Sequence, residues 1–397
     1  CAPKKMIIMN KFKYYFVLLL AGIAIVSCSK KDDDEVVVTP VRDYAVQYKA
    51  DNDSIEKFLK SNYIENVTAD FDVKISKITD ATTQVSIWDQ TTYKLESRDV
   101  YSDGITYKVY YLTLRKGAGE SPTNTDKVST AYSCYLLNGT LADSSYGLPF
   151  TANLFPYANS NTVIQGWAEI LPKFKTSSSS TVSNDGTITY NDYGAGVMFL
   201  PSGLAYYANS SGTIPAYTPI YFTFKLFDLQ RMDNEYNSSS SGIVFVGDGI
   251  PDYLEDVNGD GYLYDFRNTT KYPNPPKELI DDTDGDGIAD FLDFDDDGDG
   301  FTTRFEITKA AGEVGVVNGF NYGIKLYFPW DPVVDNPLTP NVDETEPRGI
   351  PRRPTGELAN PSLPESATNV RKYIEADYTE NPRKRIHLDN TYPIKIN

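Results

Sequence analysis

The stretch from Asp281 to Glu306, "DDTDGDGIADFLDFDDDGDGFTTRFE", limits what this chain can fold into more than any other. Carboxylates stand at alternate positions, Asp282, Asp284 and Asp286; Gly287 follows, and Asp290 and Asp293 take the ninth and twelfth places of the loop. A second loop follows the first, with Asp295, Asp297, Asp299, Gly300, and Glu306 at its twelfth place. So dense a run of like charge repels itself unless cations sit between the carboxylates. Alternate acids closed by a distal acid suit a hard cation with oxygen ligands, namely calcium. A weaker copy, "GDGIPDYLEDVNGDGY", sets Asp248, Asp252 and Glu255 parallel to Asp286, Asp290 and Asp293. In it Asp256, Asn258 and Asp260 parallel Asp295, Asp297 and Asp299. From Asp248 to Glu306 there are 18 acidic residues against 4 basic ones, which accounts for most of the chain's net charge of −18.

That charge argues against nucleic acid, since phosphate contacts need a basic surface. His387 is the only histidine, in the polar basic segment "NPRKRIHLDN", so a His-rich zinc centre is excluded. Any Ser-His-Asp or Cys-His site would have to recruit His387. The only cysteines are Cys1, Cys28 and Cys134. Conventional acid–base and nucleophilic catalysis therefore has little to work with.

Residues 1–8 precede Met9 and read as an over-extended start. Lys11 and Lys13 then form a basic region ahead of the apolar run Tyr15 to Val26, which is too short to span a bilayer and suits a signal-peptide core. Ser27-Cys28 resembles a bacterial lipoprotein cleavage site, with Ile25 in place of the usual leucine. Acyl chains on Cys28 would anchor the mature protein. "SKKDDDE" (29–35) looks like a Lys-then-acidic export signal for the outer face of the outer membrane. Cys134 would then be the only thiol of the mature chain, and no internal disulfide could form.

Beyond a short linker, Asp53 with Glu56 three residues later suggests a capping box before Ile55, Phe58 and Leu59. "FDVKISKI" alternates as a half-buried strand, and Ile105, Tyr107, Val109 and Tyr111 repeat the pattern. "DKVSTAYSCYLLNGT" closes on the turn Asn138-Gly139, and Thr218 to Leu229 is the last such strand. The pattern predicts an antiparallel sheet covered by a short helix. Two Ser-rich stretches interrupt it, an inserted loop at 176–186 and a linker at 234–242.

From about Ile105 to Leu229 the chain resembles an FKBP-type peptidyl-prolyl isomerase domain. The markers, in order, are "KGAGESP", "DKVSTAYSCYLLNGTLADSS", Pro149-Phe150, "VIQGWAEIL", "LPSGLAYY", "TIP" and "PIYFTFKLFDL". The resemblance implies an α+β fold, an antiparallel half-barrel sheet wrapped on a short helix, and rotamase activity in protein folding. It implies a pocket formed by Tyr132, Asp143, Phe150, Val163, Ile164, Trp167, Tyr206, Ile214 and Phe222. Trp167 would be the floor under a proline ring, with Gly166 allowing the close strand-to-helix turn. Tyr206 would offer its hydroxyl to a substrate carbonyl, and a half-buried Asp143 would orient the site. Where the family usually has an aromatic before that aspartate, this chain has Ala142.

The "DGIxDxLxD" repeat without long flanking helices resembles thrombospondin type 3 calcium repeats, implying several structural calcium ions and no organic cofactor. The remainder is rich in proline and lacks apolar periodicity, which predicts an extended or disordered arm with no core of its own. The expected organisation is thus residues 1–27 signal peptide with its start extension, 28–42 lipidated linker, 43–104 N-terminal helix and strands, 105–232 FKBP-like domain, 233–242 linker, 243–308 calcium repeats and 309–397 arm. The reading is an outer-membrane lipoprotein, surface-exposed or else periplasm-facing. Its partners would be proline-containing polypeptides, the membrane through Cys28, and a barrel or secretion complex through the arm. The alternatives are a non-catalytic accessory subunit of such a complex and, more weakly, an adhesin.

Overall fold

Alternation along four long strands places the centre of this protein. In β4 (Ile105–Arg115), β5 (Lys127–Leu136), β10 (Gly194–Leu200) and β11 (Ile220–Gln230), successive side chains point to opposite faces of one antiparallel sheet. With β3 (Leu95–Ser102) and β6 (Leu141–Ser144), the order is β3-β4-β10-β11-β5-β6, and β7 (Phe150–Asn153) also pairs with β5. Every residue of β10 is buried, because both faces of the sheet are covered.

The computed structural model describes residues 40–156, 163–239, 242–337, 339, 343–379 and 382–395. The signal-like segment, Cys28 and most of the 28–42 linker lie outside the described residues. Among the described residues, no helix is long and apolar enough to cross a membrane.

On one face Tyr107, Val109, Tyr111, Met198, Leu200, Phe222 and Phe224 pack with Trp167 of the short helix α2 (Gln165–Ile170). On the other, Tyr110, Leu112, Val197, Phe199 and Tyr221 pack against Ile55, Phe58 and Leu59 of α1 (Tyr44–Ser61). The N-terminal segment is therefore a second cover for the sheet, not a separate element. Its helix begins ten residues before the expected cap. Asp43 is the N-cap, its Oδ1 accepting the Val46 amide at 3.0 Å, and Asp53 lies mid-helix paired with Lys49 at 2.6 Å. The added turns are held by polar and aromatic contacts: Asp51 accepts the Ser202 amide and hydroxyl at 2.7 and 2.6 Å, Tyr44 stacks on Tyr207, and Tyr48 meets Tyr107 edge-on. The pair β1 (Asn62–Val67) and β2 (Val73–Lys77) forms its own two-stranded sheet. The Ser-rich insertion is an exposed hairpin, β8 (Ser179–Val182) and β9 (Ile188–Asn191), where a loop was expected. The Ser-rich linker is likewise paired, β12 (Tyr236–Ser239) with β13 (Gly242–Phe245).

The proline-rich segment departs most from expectation. Phe328, Ile350, Tyr378, Ile386 and Tyr392 form a buried cluster with Ile250 and Ile307 of the acidic module. Lys309 and Glu346 form a wholly buried ion pair, and Glu346 Oε1 also accepts the amides of Ile324 and Lys325 at 2.9 and 2.7 Å. Each apolar residue comes from a different turn, so the cluster has no period along the chain. From Arg42 onward the chain is one compact unit.

His387, 1% exposed, packs against Trp330, and burial beside Arg385 holds its pKa down to about 3. Because the folded pKa lies below the unfolded one of about 6.5, this group contributes stability that is complete above pH 6.5 and lost as pH falls toward 3. By denaturant titration at constant calcium, the stability of His387→Phe relative to wild type is expected to rise by about 2 kcal/mol between pH 7.5 and pH 5. A pH-independent difference would contradict a neutral buried imidazole.

Candidate functional site

Trp167 enters the core because α2 lies unusually close to β10. A Cβ on Gly166 would stand 2.5 Å from a Leu200 methyl, so glycine here serves helix–strand contact rather than a turn. The indole, 2% exposed, meets Tyr132 edge-on at 5.3 Å and Phe222 at 5.2 Å. Tyr132 in turn meets Phe150 at 5.7 Å and Phe222 at 5.9 Å. Ile214 is buried in the same cluster, while Val163, Ile164 and Tyr206 are half-buried against it. The arrangement is a dry aromatic floor of Trp167, Phe222 and Ile214 under a rim of Tyr132, Phe150, Val163, Ile164 and Tyr206.

Asp143 is exposed, not half-buried as expected, since β6 is an edge strand. Its Oδ2 accepts the Tyr132 hydroxyl at 2.8 Å and its Oδ1 the Ser144 amide at 2.8 Å. Burial, then the bond to Asp143, raises the Tyr132 phenol's pKa; burial also raises that of Tyr206. Both phenols therefore remain hydrogen-bond donors at neutral pH. Cys134, beneath them, has its thiol pushed up to about 12, first by burial and then by Asp143, which leaves it inert.

Glu169 on α2 points into the joint with the acidic module. Arg98 holds its Oε2 at 3.2 Å, the Tyr264 hydroxyl donates to the same oxygen at 2.9 Å, and the Tyr262 hydroxyl donates to the Glu169 carbonyl at 2.8 Å. The Arg98 guanidinium lies 3.2 Å from the Tyr262 ring centroid. Leu263 and Asn124 exchange hydrogen bonds of 2.7 Å in both directions. A cleft of about 430 Å³ opens beside this joint, lined in part by Val163, Gln165, Ala168, Lys271 and Tyr272.

In the acidic module, Asp282, Asp284 and Asp286 converge within 4.8 Å of one another, as do Asp295, Asp297 and Asp299. Backbone amides orient them: Gly285 and Gly287 donate to Asp282, Asp286 to Asp284, Ile288 to Asp286. Asp297 Oδ2, Asp299 Oδ2 and Glu306 Oε1 are buried without hydrogen-bond partners. Burial, then Asp297 and Asp299, pushes Glu306 up to about 10; burial and Asp299 push Asp297 up to about 7. An all-oxygen, electron-rich donor set of this kind fits a hard divalent cation. The loop of Asp256, Asn258 and Asp260 repeats the amide pattern, but its twelfth place is Arg267, bound to Asp265. Asp281 lies against this loop, its Oδ1 accepting from the Asn258 amide and side chain at 3.2 and 3.0 Å.

Other expected ligands are engaged elsewhere. Asp252 Oδ2 takes the Asn234 side-chain amide at 2.6 Å, and Asp290 takes the Thr283 amide and hydroxyl at 2.8 and 2.6 Å. These two repeat-equivalent aspartates pin the turns rather than converging with the other acids. Asp293 lies between the two loops, its Oδ1 accepting the Asp295 amide at 3.0 Å. Asp248 and Glu255 converge with Asp296, and Asp248 also with Asp233 and Glu235. Sequence reasoning missed Glu169, Asp233, Glu235, Asp281 and Asp296. Only the alternation of Asp233 and Glu235 was there to be seen.

Residues 118–227 match the family model of FKBP-type peptidyl-prolyl cis-trans isomerases, and residues 247–341 match a model described as BamM C-terminal. The chain is 38% identical over 96 residues to the peptidyl-prolyl cis-trans isomerase Mip of Coxiella burnetii, covering 24% of this chain and 37% of that protein. It is 28% identical over 208 residues to the FKBP-type peptidyl-prolyl cis-trans isomerase FkpA of Aeromonas hydrophila, covering 48% of this chain and 66% of that protein. It thus spans less than two thirds of the length of either relative. A solved peptidyl-prolyl cis-trans isomerase of Pseudomonas syringae pv. tomato aligns at 18% identity and a TM-score of 0.29, over 49% of this chain and 99% of that one. An FKBP-type domain is therefore present, and the proline-rich segment continues the second matched region past the expected boundary at 308.

Removing Arg98 would leave Glu169 charged and buried. Arg98→Met is expected to destabilise the chain by about 3 kcal/mol in denaturant titration. A loss below about 1 kcal/mol would mean that the Tyr264 hydroxyl and the Gln165 side-chain amide alone support the carboxylate.

Proposed function

We propose that the FKBP-type domain binds proline-containing polypeptides and isomerises their X-Pro bonds, on a lipoprotein of the bacterial outer membrane. The observation that carries this reading is the packing of Tyr132, Phe150, Trp167 and Phe222 ring against ring within the matched residues 118–227. An X-Pro bond crosses a barrier of about 18–20 kcal/mol because amide resonance resists twisting. No covalent bond forms or breaks. A water-poor aromatic floor disfavours the charge-separated planar amide relative to the twisted, less polar one, which is differential binding of the transition state. The Tyr206 hydroxyl would donate to a substrate carbonyl, and Tyr132, held by Asp143, would present its ring edge.

In the same reading calcium fills the acidic loops as a structural ion, at extracellular affinities of about 10⁻⁴–10⁻³ M. Acylated Cys28 would hold the chain to the outer membrane, its folded part at the cell surface or facing the periplasm. A second reading is supported by the match of residues 247–341 to the BamM C-terminal model. In it the domain is a non-catalytic subunit of outer-membrane protein assembly. Ala142, where the family usually has an aromatic, favours it.

The test is isomerisation of an X-Pro peptide by the calcium-loaded chain. Trp167→Leu is expected to lower the rate enhancement roughly tenfold, and Tyr206→Phe about fivefold, the loss of one hydrogen bond. A folded, calcium-loaded chain without rate enhancement would replace catalysis with binding. Co-purification of a barrel protein with that folded, calcium-loaded chain would then support the second reading.

A further inference from the structure

The first acidic repeat lacks two of its carboxylates. In register with Asp282 and Asp284 of the later repeat stand Val244 and Val246, both exposed. The hairpin of β12 and β13 brings other acids to this place. It aligns Tyr236 with Phe245, and the Val246 amide continues the ladder to the Glu235 carbonyl at 3.0 Å. Asp233 and Glu235 thereby come within 4.8 Å of Asp248, all three offering carboxylate oxygens to one another. Asp233 accepts the Asp248 and Gly249 amides at 3.0 and 3.1 Å, and Glu235 Oε2 accepts the Asp248 amide at 3.1 Å. Gly247, at φ +57°, is required there, since a Cβ would stand 2.2 Å from Asp233 Oδ1.

Asp248 belongs at the same time to a second group with Glu255 and Asp296, again within 4.8 Å and wholly buried. Their exposures are 0%, 5% and 1%, and Glu235 is 0% exposed. Six oxygens here have no hydrogen-bond partner: both of Glu255, both of Asp296, Asp248 Oδ2 and Glu235 Oε1. Arg304 is close by, but its guanidinium donates to the Gly247 carbonyl at 2.9 Å. Buried carboxylates without partners are among the costliest arrangements a fold can hold.

We infer that Asp248, Glu255 and Asp296, completed by Glu235, form a buried calcium site distinct from the three loops. Asp248 belongs to both acid groups, carboxylate oxygens are the ligands calcium takes, and the absence of nitrogen or sulfur donors disfavours softer metals. The site joins three segments: the chain leaving β11, the first repeat, and the second of the later loops, where Asp296 stands between Asp295 and Asp297. Asp233 orients the ligands through backbone amides rather than binding the ion. The inference extends the calcium reading of the loops, and the test separates the two.

Bound calcium is counted by elemental analysis on the full chain after equilibrium dialysis. The Glu255→Gln/Asp296→Asn double variant is expected to lose one ion, and Asp284→Asn/Asp286→Asn to lose a different one, with the two losses adding in the combined variant. An unchanged count in a folded Glu255→Gln/Asp296→Asn chain would overturn the site, the carboxyls then being protonated. Should that variant fail to fold, anomalous scattering from terbium-soaked crystals of the native chain decides. A peak about 2.3–2.6 Å from the Glu255 and Asp296 oxygens supports the site. Peaks only in the 282–299 loops overturn it and leave the loop reading standing; no peaks at all overturn both.

Discussion

The carboxylate of Glu169 is the point on which the two halves of this chain meet. It is buried at the end of the helix that carries Trp167, and it is held by Arg98 from the sheet and by Tyr264 from the acidic module. In a low-dielectric setting such a charge persists only while its donors are in place. The orientation of α2 thus depends on a segment, Gly261 to Phe266, that follows directly on an aspartate loop. The aromatic floor and the acidic module share one backbone support, and the hydrogen bonds between Asn124 and Leu263 reinforce it.

The acidic module is held by two kinds of carboxylate. Asp252 and Asp290 satisfy side-chain and backbone donors and fasten the turns. Within each of the triplets Asp282, Asp284, Asp286 and Asp295, Asp297, Asp299 the carboxylates face one another, and among the described residues backbone amides are their donors. Repeat position alone does not tell these apart, because both kinds recur at the same offset. The proline-rich segment then closes over the module through Phe328, Ile350 and Tyr378, so the module has apolar support as well as electrostatic.

Much of the domain was legible. The alternation of Ile105, Tyr107, Val109 and Tyr111 was visible because each strand faces a dry core, and the pocket aromatics lie together as the ordered markers implied. The reach of α1 was not legible, since its added turns are held by Ser202, Tyr207 and Tyr107, far along the chain, which no local pattern displays. The fold of residues 309–395 was hidden for a similar reason. Its core takes single residues from separate turns, and its buried ion pair, Lys309 with Glu346, joins residues 37 positions apart.

By itself the sequence determined where carboxylates are too dense to pack without counter-charge and which strands alternate. Those properties are local, set by spacing of two to twelve residues. Only the tertiary structure decided which acids converge. Asp233 and Glu235 reach Asp248 through a hairpin, and Asp296 reaches it from the next repeat. Proximity in a folded chain comes from the closure of loops around a core, and the cost of that closure grows only slowly with loop length. Residues tens of positions apart therefore share a site as readily as neighbours do, and a one-dimensional pattern carries no mark of it.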